Sequence, residues 1–231
     1  MKFNRHRQKT FIFAVTIFVK GFCFRNNEMS AIALSIDFDL VLNNQIAIVK
    51  GSTMSTTMLF IKGGSGSTCY GYNNKYLDIA RTINQKYGIT VAVSSNKLFS
   101  KIDLKAELQS VFKAMNTHYQ VLFAGVSSGA VAAVEQSPDI YDLQKLLLIN
   151  PPFTISLPKI KRSLEAKKDA TFNFVFGAND PTYRFLPLLD NLKSQSSINL
   201  KIVEGADHNF KGMESEFKSL FVNFVENNLK S

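Results

Sequence analysis

From residue 31 onward the chain switches between two hydrophobic patterns. Ile36, Phe38, Leu40 and Leu42 recur at every second position with Asp37 and Asp39 between them, and Asn43-Asn44 separates them from the apolar run Ile46–Val49. Period-two alternation broken by a short polar turn predicts a β-hairpin over 31–49 with one wet face. Beyond it lie short runs that are apolar throughout: Met58–Ile61, Ile89–Val93, Gln120–Phe123, Lys145–Ile149, Phe172–Phe176 and Leu200–Val203. Between them fall stretches of helical length and periodicity near Tyr76–Tyr87, Leu104–Met115, Ser128–Glu135, Lys159–Lys168, Tyr183–Ser194 and Glu214–Asn228. Strands with no wet face, alternating with helices, predict an α/β fold. Its mostly parallel central sheet would carry an N-terminal antiparallel hairpin and helices on both faces. In an open sheet of this kind ligands bind beyond the carboxyl ends of the strands, so chemistry is expected in the residues just after each strand.

Composition changes this picture little. The chain has 231 residues, 45% hydrophobic and 19% charged, values that exclude a disordered chain, a collagen-like repeat and a coiled coil. No internal repeat, low-complexity tract or long linker interrupts residues 29–231, which are read as a single domain. The formal net charge of +9 raises the question of a polyanionic partner. Its distribution answers that question: residues 1–28 hold six bases against Glu28 alone, whereas residues 29–231 hold 21 bases and 17 acids. No nucleic-acid recognition motif accompanies the charge, so no nucleic-acid partner is expected.

Residues 1–28 form a leader with a basic start, an apolar run Phe11–Val19, and then Lys20. Two readings of it stay open: an upstream extension of the reading frame ahead of Met29, or an atypical signal or membrane-surface anchor. The run is too short for a stable membrane span. Cys23 and Cys69 are the only cysteines, too few for a disulfide scaffold or a metal site. The default compartment is the cytoplasm, and no metal or organic cofactor is implied.

The chemistry lies at three strand ends. The strand at Gln120–Phe123 runs into Gly125-Val126-Ser127-Ser128-Gly129, a G-x-S-x-G at a strand-to-helix turn. A serine on so sharp a turn needs residues without bulk two positions before and after it, and the helix start aims free N–H groups at any oxyanion formed beside it. The strand at Phe172–Phe176 leads to Asp180-Pro181, and the last strand leads to Asp207-His208. A serine nucleophile needs a base, and the base needs a carboxylate to orient it. Ser127, Asp180 and His208 supply these groups in that order. Asp207 ranks second as the acid, because adjacent loop residues seldom face each other. His118 sits at the wrong end of the sheet, and His6 lies in the leader.

The elbow Gly125–Gly129, the Gly-x-x-Asp-Pro around Asp180 and the Gly-Ala-Asp-His at His208 resemble the α/β-hydrolase superfamily, in particular a small, nearly lidless serine esterase-like member. The resemblance implies catalytic roles for Ser127, Asp180 and His208, and an oxyanion hole from the backbone N–H of Ser128 with that of Gly64 or Ser65. Lys62-Gly63-Gly64-Ser65 stands where the family usually carries His-Gly-Gly, so Lys62 replaces the histidine. Residues 150–170 leave room for a loop and one short helix rather than a lid domain. The expected pocket is therefore open and modest, floored by Phe153, Tyr183, Phe185, Leu186 and Phe210. The expected activity is cleavage of short to medium carboxylic esters or thioesters through an acyl-enzyme. A serine peptidase or acyltransferase on the same residues, and a non-catalytic binding or accessory protein of this fold, stay open as alternatives. The bases Lys159, Lys161, Arg162, Lys167 and Lys168 read as a solvated helix face.

Overall fold

The apolar runs assemble into one eight-stranded sheet. The computed structural model describes residues 37–98, 100–153, 157–192 and 197–230. The leader, with His6 and Cys23, the start of the hairpin and the end of the fifth expected helix lie outside the described residues. In chain order the elements are β1 (Leu40–Leu42), β2 (Ile46–Val49), β3 (Thr57–Lys62), α1 (Lys75–Tyr87), β4 (Thr90–Ser94), α2 (Leu104–Met115), β5 (Gln120–Val126), α3 (Ser128–Gln136) and β6 (Lys145–Ile149). They continue with α4 (Leu157–Ala166), β7 (Thr171–Gly177), α5 (Leu186–Leu192), β8 (Ser197–Val203) and α6 (Glu214–Leu229). The strand order is β1-β2-β4-β3-β5-β6-β7-β8. β2 runs antiparallel to both β1 and β4, and every pairing from β4 to β8 is parallel.

Each strand divides its side chains between two cores, as the two-residue period requires. Met58 and Phe60 of β3, Val121 and Phe123 of β5, and Leu146 and Leu148 of β6 meet α2, α3, α4 and α5 on one face. Leu59, Ile61, Leu122, Ala124, Leu147 and Ile149 meet α1 and α6 on the other. Both faces are dry, which is why these strands read as continuous apolar runs. On the first face Phe60 stacks on Phe123 at 5.7 Å between ring centroids, and Phe172 on Phe174 at 6.3 Å.

Three details differ from the sequence expectation. β5 runs on to Val126, directly to the elbow. β8 starts three residues earlier than its apolar run, at Ser197, because it is an edge strand whose outward positions are polar. The segment after Asp180 is a 3₁₀ turn over Pro181–Phe185 before α5 begins, since Pro181 presets the first turn. Among the described residues no helix is long and apolar enough to cross a membrane.

Phe174 is fully buried and packs edge-on to Phe153 at 5.8 Å. Phe174→Ala is expected to lower unfolding free energy by about 3–5 kcal/mol, read from the midpoint of urea denaturation.

Candidate active site

The elbow is built by close approach. A Cβ placed on Gly129 would lie 2.4 Å from the Lys62 carbonyl oxygen and 2.8 Å from that of Gly63, and one on Gly125 would lie 2.6 Å from Cα of Ala130. Both contacts are with backbone that cannot step aside, so only glycine lets α3 enter between the ends of β3 and β5. Between the two glycines Ser127 has φ 53° and ψ −121°, a conformation that costs a non-glycine residue about 1–3 kcal/mol. Its N–H donates to Ile149 O at 2.8 Å, tying the elbow to β6.

Two other strand ends bring their side chains to Ser127. His208, after β8, places Nε2 3.0 Å from Ser127 Oγ and Nδ1 2.5 Å from Asp180 Oδ2. The Asp180 side chain is fully buried, and that of His208 is 40% exposed, so the imidazole edge stays open to a ligand. Asp180 uses its two oxygens differently, because Oδ1 accepts from the N–H of Thr182 at 2.7 Å and so caps the following turn. Burial pushes the Asp180 carboxyl up, but the hydrogen bonds from His208 and Thr182 outweigh it and hold the group below its ordinary value. The hydrogen bond to Asp180 lifts His208 above the ordinary imidazole value, opposed by burial and by the charge of Lys75. Asp207 is turned away: its Oδ1 accepts from the N–H groups of Asn209 and Lys211 at 2.9 and 3.0 Å.

Gly64 abuts the serine from the end of β3. A Cβ there would lie 3.0 Å from Ser127 Cβ and 3.5 Å from its Oγ. The loop 63–67 is held from β4 by Asn96. Its Nδ2 donates to Gly63 O at 3.2 Å and Ser128 Oγ at 3.0 Å, while its backbone exchanges hydrogen bonds with Gly66 and Ser67.

Comparison with solved structures identifies the fold. An α/β serine hydrolase homologue from Coxiella burnetii superposes with a TM-score of 0.58 at 20% identity, over 77% of this chain and 89% of that one. A putative α/β hydrolase of unknown function from Agrobacterium tumefaciens gives 0.63 at 17% identity, over 82% and 96%. A serine hydrolase without a lid from Xanthomonas campestris gives 0.55 at 18% identity, over 79% and 88%. The chain has the α/β-hydrolase fold. No family model and no curated protein matches its sequence.

Within the α/β-hydrolase fold Lys62 takes the position where histidine was expected, and it is a buried cation. Its Nζ lies 2.6 Å from Glu107 Oε1, 3.0 Å from Ser94 Oγ and 2.8 Å from Ser95 O. All three ammonium donors are therefore matched, and the lysine pins the end of β3, where the loop departs, to β4 and α2. Asn150, at the end of β6, was not anticipated from sequence. It is fully buried with φ 49°; Nδ2 donates to the carbonyls of Asp207 and His208 at 3.3 and 3.2 Å, and Oδ1 accepts from Gly177 N–H at 2.8 Å. One side chain thus braces the loops that carry both His208 and Asp180. The available signal was a polar Asn-Pro directly after an apolar strand at the chemical end of the sheet.

The expected pocket residues fall elsewhere. Phe153 is fully buried against Phe174 and Phe185, with Leu186 packed on the same core. Phe210 is 1% exposed and packs on Phe217 at 5.2 Å. Tyr183 is partly exposed and lines none of the described depressions. Rings of this size gain more from burial than from lining a wet site. The opening beside Ser127 and His208 is a cleft of about 440 Å³ between loop 64–68 and the start of α1, with Tyr72, Lys75 and Asn209 in its wall. A second depression of about 720 Å³ reaches Ser128 from the α2 side, past Ile102, Val131 and Pro152.

The remaining candidates are accounted for structurally. Cys69 is buried, donates to the carbonyls of Gln45 and Val93, and burial pushes its thiol up to about 11. His118 pairs with Asp142 at 3.0 Å, at the opposite end of β5 from Ser127. In the basic segment Lys159 pairs with Glu135 at 2.9 Å and Lys161 lies 3.8 Å from Glu165, whereas Lys167, expected on a solvated face, lies past the helix end, buried and paired with Asp169 at 3.1 Å.

Lys62→Met leaves Glu107 without its partner and is expected to cost on the order of 3 kcal/mol of stability. Adding Glu107→Leu should return most of that loss, a coupling that a double-mutant cycle in urea measures directly.

Proposed function

We propose that this chain is a serine hydrolase that cleaves short to medium carboxylic esters or thioesters through an acyl-enzyme. The observation that carries the reading is the relay from buried Asp180 through His208 to Ser127 Oγ, with both contacts at hydrogen-bonding distance and the serine held at an elbow. Ser127 Oγ attacks the acyl carbonyl while its proton passes to His208 Nε2. The carbonyl oxygen becomes an oxyanion held by the N–H of Ser128 and that of Gly64 or Ser65. The leaving alcohol or thiol takes the proton from His208, and the acyl group stays on Ser127. Water then attacks the acyl carbonyl as it gives a proton to His208, and the acyl–Oγ bond breaks as His208 returns that proton to Ser127 Oγ, which releases the acid and restores the serine. Asp180 keeps the imidazole in the tautomer with Nδ1–H and offsets the charge it gains. The likeness to the serine hydrolase homologue from Coxiella and the lidless serine hydrolase from Xanthomonas supports this reading.

Labelling by a fluorophosphonate probe tests it. The wild-type chain is expected to label and Ser127→Ala to lose the label completely; a folded wild type that stays unlabelled would sink the proposal.

The pH profile follows from the same relay. His208 is a base only when neutral, and its pKa is raised, so kcat/KM should fall as pH drops through a value above that of ordinary imidazole. Asp180→Asn removes the main cause of the rise. It should move that limb to lower pH and reduce kcat by about 10⁴-fold.

A further inference from the structure

The wall of the cleft beside Ser127 mixes polar and apolar surface in near-equal parts. Hydroxyl-bearing Ser65, Ser67, Thr68 and Tyr72 contribute to its wall, together with Val126 and Tyr76. Lys75, the first residue of α1, stands at the His208 side. Its Nζ donates to Asn209 O at 3.2 Å and lies 4.3 Å from the centroid of the Phe217 ring. Among the described residues no carboxylate pairs with it. The two acids close enough to act on it by charge are engaged elsewhere: Asp207 with backbone of its own loop, and Glu214 with Gly212 N–H at 3.2 Å. One carbonyl and an aromatic face leave ammonium donors unused in a half-buried place, where burial already lowers the lysine from its ordinary value. An anion would supply what this cation lacks.

We propose that the cleft selects esters whose acyl or alcohol part carries a carboxylate, and that the Lys75 ammonium receives that carboxylate. Lys75 is thereby a specificity residue, and the inference rests on the hydrolase reading above.

Two matched pairs test it. The mono-p-nitrophenyl ester of adipic acid is compared with p-nitrophenyl hexanoate, which places the charge on the acyl side. Likewise 4-carboxyphenyl butyrate is compared with its methyl ester, which places it on the alcohol side. Rates are taken on the plateau of each pH profile, so that a changed His208 does not enter. The wild type is expected to favour the acidic member of at least one pair by about tenfold or more in kcat/KM, as expected for a hydrogen bond between charged groups. Added salt should shrink the ratio, Lys75→Met should abolish it, and Lys75→Arg should keep part of it. Equal rates in both pairs, or a preference that survives Lys75→Met, would overturn the proposal while fluorophosphonate labelling of Ser127 leaves the hydrolase reading standing. Wild type that neither labels nor hydrolyses any of the four esters overturns both. Should Lys75→Met not fold, protection of the wild type decides: adipate must slow labelling of Ser127 more than uncharged adipamide, and equal protection overturns the proposal.

Discussion

The site depends on one steric constraint, the contact of Gly129 with the carbonyls of Lys62 and Gly63. Because α3 enters with no side chain at that point, its first turn reaches the end of β3, and the loop carrying Gly64 can abut Ser127. Gly125 makes the matching concession on β5 against Ala130. Ser127 is left in a conformation that its own backbone disfavours. The strain is sustained by the hydrogen bond to Ile149 and by the dry sheet on either side. Strand packing thus supplies the energy that holds the serine outward.

Around that contact the polar groups are arranged as braces. Lys62 joins β3 to β4 and α2, Asn96 joins the β3 loop to the elbow, and Asn150 joins the loops after β7 and β8. Each is nearly or fully buried and each makes hydrogen bonds at more than one strand end. A buried polar group with all partners present orients its neighbours, because any displacement leaves a donor or acceptor unpaired at a cost of about 1–3 kcal/mol. Lys62 shows that the position at the end of β3 asks for a multi-donor group that can cross to β4, a demand met here by an ammonium paired with Glu107.

Charge is handled differently on the two sides of His208. Toward the core, Asp180 is buried and draws the proton to Nδ1. Toward the cleft, Lys75 opposes a charged imidazole and faces a wall of hydroxyls. His208 therefore titrates between an acid that favours its cation and a lysine that disfavours it, and the same lysine lines the opening beside Ser127.

Much of this was legible in the chain because it follows from short-range rules. Apolar runs of strand length between helical periods specify a two-faced parallel sheet, and the G-x-S-x-G, Asp-Pro and Asp-His segments at successive strand ends mark where polar chemistry emerges. Asp180 and not Asp207 was preferred because neighbouring loop residues diverge, and the two carboxylates do point to different partners. The walls of the opening were not legible. Phe153 and Phe210 have the composition of pocket residues, yet whether an aromatic ring lines a cleft or fills a core depends on which neighbours close over it, and those neighbours come from β7, the turn before α5, and α6. The same holds for Lys75, Asn96 and Asn150, whose partners lie 134, 33 and 58 residues away along the chain. Sequence by itself determined the layers, the elbow and the order of its three polar side chains, since these arise from local periodicity and turn sterics. Only the tertiary structure decided what surrounds them, because burial and pairing are properties of contacts between distant segments.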